Sequence, residues 1–203
     1  LWVANHARDG AAMLIDWPSG RVLRSIPNNG GHDVQPLANG NVLITTGRAA
    51  RVAEYTPGGL ETWSLTSLHG LQYPVCASRL ASGNTLVSDT MASRVVEFDR
   101  SGKVAWQFTD PSFKPGYLRC ARPTPGARRP SQALRRPDGA TAASISEPGE
   151  VLFLDPSGRI IRSLGNGGDP THGIKFGWAS GFHIQPDGGI FISDYSGRRI
   201  VEL

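Results

Sequence analysis

Apolar residues in this chain come in short runs with a period of two: AAMLI, RVLRSI, NVLITT, RVAEY, NTLVSD, RVVEF, EVLFL, GIFISD and RRIVEL. Such runs, rich in Val, Ile and Leu and bounded by Gly, Asn, Asp and Ser, predict β-strands with almost no helix. Turns at Asn39-Gly40, Asp138-Gly139 and Asp187-Gly188 separate adjacent runs; these dipeptides accept positive φ and match the twist of a hairpin. Some strands alternate between two apolar sets. Ala53 and Tyr55, Val96 and Phe98, or Val201 and Leu203 share one face, and Val52, Val95 and Ile200 take the other. A sheet apolar on both faces has to be covered on both.

The runs recur. Residues 32–55, HDVQPLANGNVLITTGRAARVAEY, align without gaps on residues 75–98, VCASRLASGNTLVSDTMASRVVEF, a period of 43 residues. Further copies start at Ser131 and Ser180, with turn glycines Gly139 and Gly188 in place of Gly40 and Gly83. Fourteen positions after each glycine stand Glu54, Glu97, Phe153 and Glu202. Each unit reads as four strands. A fixed period of this length marks a repeat architecture in which each unit buries its neighbour's face.

The expected fold is therefore all-β: a β-propeller of four-stranded antiparallel blades filling one domain over 1–203. About six blade traces are present. Full blades cover 32–65, 75–108 and 131–164, a partial blade of second, third and fourth strands covers 1–26, and a partial blade of the first three covers 180–203. Residues 117–126, YLRCARPTPG, keep the inner-strand register, but Gly139 opens the next turn only 13 residues after Gly126, so this trace is a stub. Either an open strand edge there invites self-association or a covering partner, or the neighbouring blades close up into a five-bladed ring with the stub as a long loop. A β-sandwich of the same strands would not require a near-identical unit.

The strings HDVQPLANGNVLITT, RLASGNTLVSD and RVVEFDRSGKVAW resemble the NHL-repeat, pyrroloquinoline-quinone-like and arylsulfotransferase-like propellers. The resemblance covers most of the chain outside 109–131. It implies the architecture more firmly than an activity, because these superfamilies include lyases, sulfotransferases, lactonases and plain binding modules. Quinone-dependent members carry repeated Trp-docking segments. Here those segments read FDRSGKVAW and YTPGGLETW and most units lack the Trp, which argues against pyrroloquinoline quinone as cofactor.

Charge changes the picture less than its total suggests. The net +4 contains six arginines between 119 and 136 (Arg119, Arg122, Arg128, Arg129, Arg135 and Arg136) with no acidic residue among them. Prolines rather than aromatics are interleaved, so the segment lacks the stacking platform of a nucleic-acid binder and reads as a solvated loop. No apolar stretch reaches the length of a membrane span. Cys76 and Cys120 form no metal-spacing motif; neighbouring inner strands should hold them too far apart to bridge, giving free thiols. A periplasmic or extracellular location is the expectation.

In a propeller, ligands approach the end of the central channel where inner strands begin. The candidates there are His32 and Asp33, with His69 and Tyr73 in the following connection and His172, Trp178 and His183 around the last inner strand. His32, His69, His172 and His183 would suit a divalent metal or acid–base work, since neutral imidazole is both a ligand and a group that titrates near neutrality. Asp89 and Asp194 read as turn formers, and the repeated Arg-x-x-Glu reads as an ion pair or hydrogen bond between blades. No nucleophile elbow, phosphate loop, zincin motif or EF-hand loop is present. Two functions remain: a propeller that presents a binding face to a protein, glycan or small molecule, or a propeller enzyme of lyase or sulfotransferase type that uses the channel-end histidines.

Overall fold

The computed structural model describes residues 1–111, 128–165 and 173–203. Strands dominate, with two short 3-10 turns at Ser67–His69 and Thr90–Ala92. Among the described residues no helix is long and apolar enough to cross a membrane. Among the described residues five antiparallel sheets form, each meandering in sequence order. The first holds β1 (Trp2–Ala4), β2 (Ala11–Ile15) and β3 (Val22–Pro27). The second holds β4 (Asp33–Pro36), β5 (Val42–Thr46), β6 (Arg51–Tyr55) and β7 (Glu61–Leu65). The third holds β8 (Pro74–Arg79), β9 (Thr85–Asp89), β10 (Arg94–Phe98) and β11 (Val104–Thr109). The fourth holds β12 (Pro130–Arg135), β13 (Thr141–Ile145), β14 (Glu150–Leu154) and β15 (Ile160–Gly165). The fifth holds β16 (Ala179–Ile184), β17 (Ile190–Asp194) and β18 (Arg199–Glu202).

One expectation is corrected: among the described residues there are five sheets rather than six traces, three of them four-stranded and the first and fifth, where partial blades were expected, three-stranded. The reason is visible in the repeat: the first sheet has no counterpart of β4, and the fifth has none of β7. The stub at 117–126, with Cys120, lies outside the described residues. Its neighbour in the expected thiol pair, Cys76, is half-buried on β8.

The repeat fixes local geometry through its turns. Gly40 and Gly83 sit at φ 83° and 88°, a region closed to most L-residues, and each N–H donates back across the turn to Leu37 and Leu80. Register follows: β5 pairs with β6 from Val42↔Tyr55 to Thr46↔Arg51, so Ile44 and Ala53 face one another.

The chain divides into two compact units, 1–87 with 97–105, and 88–96 with 106–203. In the first, Ala12, Ile26, Val42 and Ile44 form a core between the first and second sheets, with Trp2, Val34 and Tyr55 packed on it. In the second, Val151, Phe153, Leu164, Phe176, Phe182, Ile190 and Ile192 form the core that joins the fourth and fifth sheets.

On two of the first strands a side chain also ties one sheet to the next. Asp33 accepts from the Ala77 N–H at 3.3 Å, and Gln132, at the same repeat position, accepts from the Phe182 N–H at 2.8 Å. Farther along, the Trp63 indole donates to the Arg100 carbonyl and the Trp106 indole to the Pro156 carbonyl, both at 2.9 Å. Arg79 lies over the Trp63 ring and Arg135 over Trp106, so both tryptophans serve packing.

The arginine segment is matched locally rather than left as a patch. Arg128 pairs with Asp110 and Glu150, Arg129 with Glu147 and Arg136 with Asp138. Arg119 and Arg122 lie outside the described residues.

Candidate functional site

His32 lies just before β4, where its N–H donates to the Thr45 carbonyl at 2.8 Å, and Tyr73 lies just before β8. The inner-strand starts of the second and third sheets thus bring them together. Nε2 of His32 is 3.2 Å from the Tyr73 hydroxyl, and the rings meet edge-on with centroids 5.3 Å apart. His6, from the loop between β1 and β2, places its ring centroid 4.0 Å from that of His32.

Gly47 makes this approach fit. A Cβ there would stand 2.6 Å from Cε1 of Tyr73 and 2.8 Å from Nε2 of His32, closer than side-chain carbons come.

Burial is the largest influence on the His32 imidazole, and repulsion from His6 and Arg48 adds to it; together they push its pKa from 6.5 down to about 4. At neutral pH the ring is therefore uncharged. One of its nitrogens carries a lone pair, and the phenol beside it can donate or accept according to the tautomer. Arg48 would in turn favour negative charge developing nearby. The group can accept a proton and stabilise an anion.

The other expected residues are placed differently. Asp33 turns away from His32: one carboxylate oxygen accepts from the Val34 N–H at 2.9 Å and the other from Ala77. His69 closes the 3-10 turn, with Nδ1 accepting from the Thr66 N–H at 3.0 Å and the ring against Gly102. His183 is exposed on β16. Trp178 is exposed and packs edge-on to Tyr195. His172 lies outside the described residues. Among those described, no group of three or more His, Cys, Asp or Glu side chains could hold a metal ion. Asp194 accepts from the N–H groups of Gly177, Trp178 and Gly197 and from Arg199, as a turn former does. Its counterpart Asp89 is fully buried and pairs with Arg94.

Sequence reasoning missed His6, which precedes the first full repeat, and Gly47. The latter carried a signal: where the second unit has Gly47, the third has Thr90.

No protein-family model matches the chain, and no curated protein matches it in sequence. Solved structures do match. A Bacteroides caccae protein of unknown function is 17% identical, superposes with a TM-score of 0.73 and matches 100% of this chain and 68% of its own. Virginiamycin B lyase from Staphylococcus aureus is 15% identical, with a TM-score of 0.66 over 100% of this chain and 65% of the lyase. A catalytically inactive histidine-to-alanine variant of that lyase, with quinupristin, is 13% identical, with a TM-score of 0.63 over 98% and 65% of the two chains. The fold is a β-propeller. Its five sheets are the blades, and the chain spans 65% of the lyase's length.

Proposed function

We propose that this propeller is an enzyme of the lyase type, in which neutral His32, with Tyr73 as hydrogen-bond partner, takes a proton from the substrate. The observation that carries the reading is the half-buried imidazole kept uncharged at neutral pH and set 3.2 Å from a phenol. A module that only binds needs no such pair. The likeness to a lyase that a histidine substitution inactivates supports the lyase branch over the sulfotransferase branch, and supports an enzyme over the binding face that the sequence first suggested.

A lyase breaks a bond by elimination. His32 would accept the proton, the electron pair of the C–H bond would form the new double bond, and the leaving group would depart without water being added. Arg48 would stabilise the charge that develops before departure.

Mass spectrometry of the purified protein with quinupristin tests it. The expected product forms without uptake of water, and turnover falls at least about a hundredfold in His32→Ala, the usual scale for loss of a general base. Tyr73→Phe should fall less. Turnover at the wild-type rate in His32→Ala, products bearing added water, or no turnover at all would overturn the reading.

A further inference from the structure

One backbone hydrogen bond recurs where the segment before an inner strand meets the end of the strand beside it. In the fourth blade the Ser146 N–H donates to the Arg129 carbonyl at 2.8 Å, and in the fifth the Tyr195 N–H donates to the Trp178 carbonyl at 2.9 Å. The repeat puts Gly30 and Gly47 at these two places in the second unit, and Tyr73 and Thr90 in the third. In the fifth blade both are aromatic. Their rings meet edge-on, with centroids 6.1 Å apart and planes at 64°, so two ring faces make a corner. Tyr195 is 74% exposed and Trp178 38%.

The corner is held in place. Asp194, itself 2% exposed, accepts from the N–H groups of Gly177, Trp178 and Gly197 and from Arg199, which fixes both loops that carry the rings. At Gly177 an added Cβ would stand 2.7 Å from that of Ser196, so the loops lie against each other. A pair fixed in this way loses little freedom when something settles on it. The polar ends of the rings are also spare. Trp63 and Trp106 spend their indole N–H groups on backbone carbonyls, whereas among the described residues the Trp178 indole and the Tyr195 hydroxyl have no hydrogen-bond partner. Asp194 has nothing left to accept with, since four donors take up the roughly four acceptor positions of a carboxylate.

We infer that this corner of the fifth blade binds a proline-rich polypeptide segment in the extended polyproline conformation. Each proline brings an apolar ring to lay on an aromatic face and a carbonyl to accept from the indole or the phenol, and it brings no backbone N–H that the site would leave unpaired. Such a backbone is also ordered before it binds. A sugar presents as many donors as acceptors, and a quaternary ammonium is best met by a carboxylate in addition to aromatic faces. The carboxylate here is already taken.

The experiment titrates the whole chain into fluorescein-labelled decaproline and follows the anisotropy. The expected result is saturable binding of one peptide per chain, with a labelled Gly-Ser peptide of equal length at least about tenfold weaker and no displacement by cellohexaose or choline. Tyr195→Ala removes an exposed side chain and leaves Asp194 and its hydrogen bonds in place, and it should weaken binding at least about tenfold, as should Trp178→Ala. Tyr195→Phe keeps the ring and loses only the hydroxyl, for an expected loss of about threefold. His32→Ala should bind decaproline as wild type does, so this result stands apart from that of the lyase assay. Unsaturable binding, equal affinity for the Gly-Ser peptide, displacement by cellohexaose or choline, or unchanged affinity in Tyr195→Ala would overturn the inference.

Discussion

The junction between the second and third blades and the junction between the fourth and fifth are built on one repeat, share the first-strand hydrogen bond of Asp33 or Gln132, and differ in the kind of side chain at the positions of Glu54, Arg79 and Trp63. Glu54, Arg79 and Trp63 make one junction ionic. Phe153 and Ile184 make the other apolar, with the Arg162 guanidinium over the Phe153 ring. Glu54 is only 4% exposed, and its partner Arg79 has 12% of its side chain exposed. Burial by itself would raise the carboxyl's pKa, but hydrogen bonds from Arg100, Asn41 and Asn39 outweigh it and hold the value at about 2. The comparison teaches that a side-chain-to-backbone hydrogen bond recurs where one blade meets the next, while the side chains beyond it are exchangeable in kind. A buried ion pair is hard to break by halves, whereas an apolar contact is lost in proportion to the atoms removed.

Glu54→Ala should therefore cost the most. It leaves Arg79 and Arg100 facing each other without a counter-charge, and urea unfolding should show a loss of about 3–5 kcal/mol. Phe153→Ala, which opens a cavity in the other junction, should cost about 3 kcal/mol by the same measurement. If Phe153→Ala proved the more damaging, the assignment of ionic and apolar junctions would be reversed in importance. Replacing the pair together, Glu54→Met with Arg79→Ile, should fall within about 2 kcal/mol of wild type, because removing both charges removes their desolvation cost as well.

Acid separates the two junctions further. Glu54 titrates at about 2 in the folded protein against 4.5 for the ordinary carboxyl, so its stabilisation is complete above pH 4.5 and is lost as pH falls toward 2. The stability gap between wild type and Glu54→Gln should close over that window. His32 acts at higher pH: its pKa is lowered from 6.5 to about 4, so the unfolded chain binds the proton first and stability falls between those two values. Phe153 and Ile184 contribute nothing to either window. Smallest of all, Arg100→Ala removes a cation with half its side chain exposed, and about 0.5–1 kcal/mol is expected, measured as a shift in the urea midpoint.

Strand positions were legible because alternation and turn glycines are local signals that repeat at 43 residues. The ion pair at Glu54 was half-legible: the repeated Glu pointed to a contact between blades, but Arg79 lies outside the Arg-x-x-Glu motif and only the packing of β6 against β8 reveals it. His32 and Tyr73 were legible as candidates from their places before inner strands. Asp33 and His69 sat in the same places, yet their side chains satisfy backbone groups, and nothing in the sequence distinguishes an imidazole that closes a turn from one that is left beside a phenol. His6 was illegible because it precedes the first complete copy of the repeat, so no register carried it to His32.

The hairpin turns have a consequence for the handedness of the residues they could accept. At Gly40 and Gly83, with φ of 83° and 88°, a side chain of the L form would be strained, yet no atom lies within 4 Å of where its Cβ would be built. The mirror-image residue finds this backbone region comfortable. In a chain assembled by chemical ligation, D-alanine at either position should keep the native fold and narrow the conformations open to the unfolded state, raising stability by up to about 1 kcal/mol per turn. These two corners of the protein are thus places where the opposite stereochemistry suits the chain better than any L side chain.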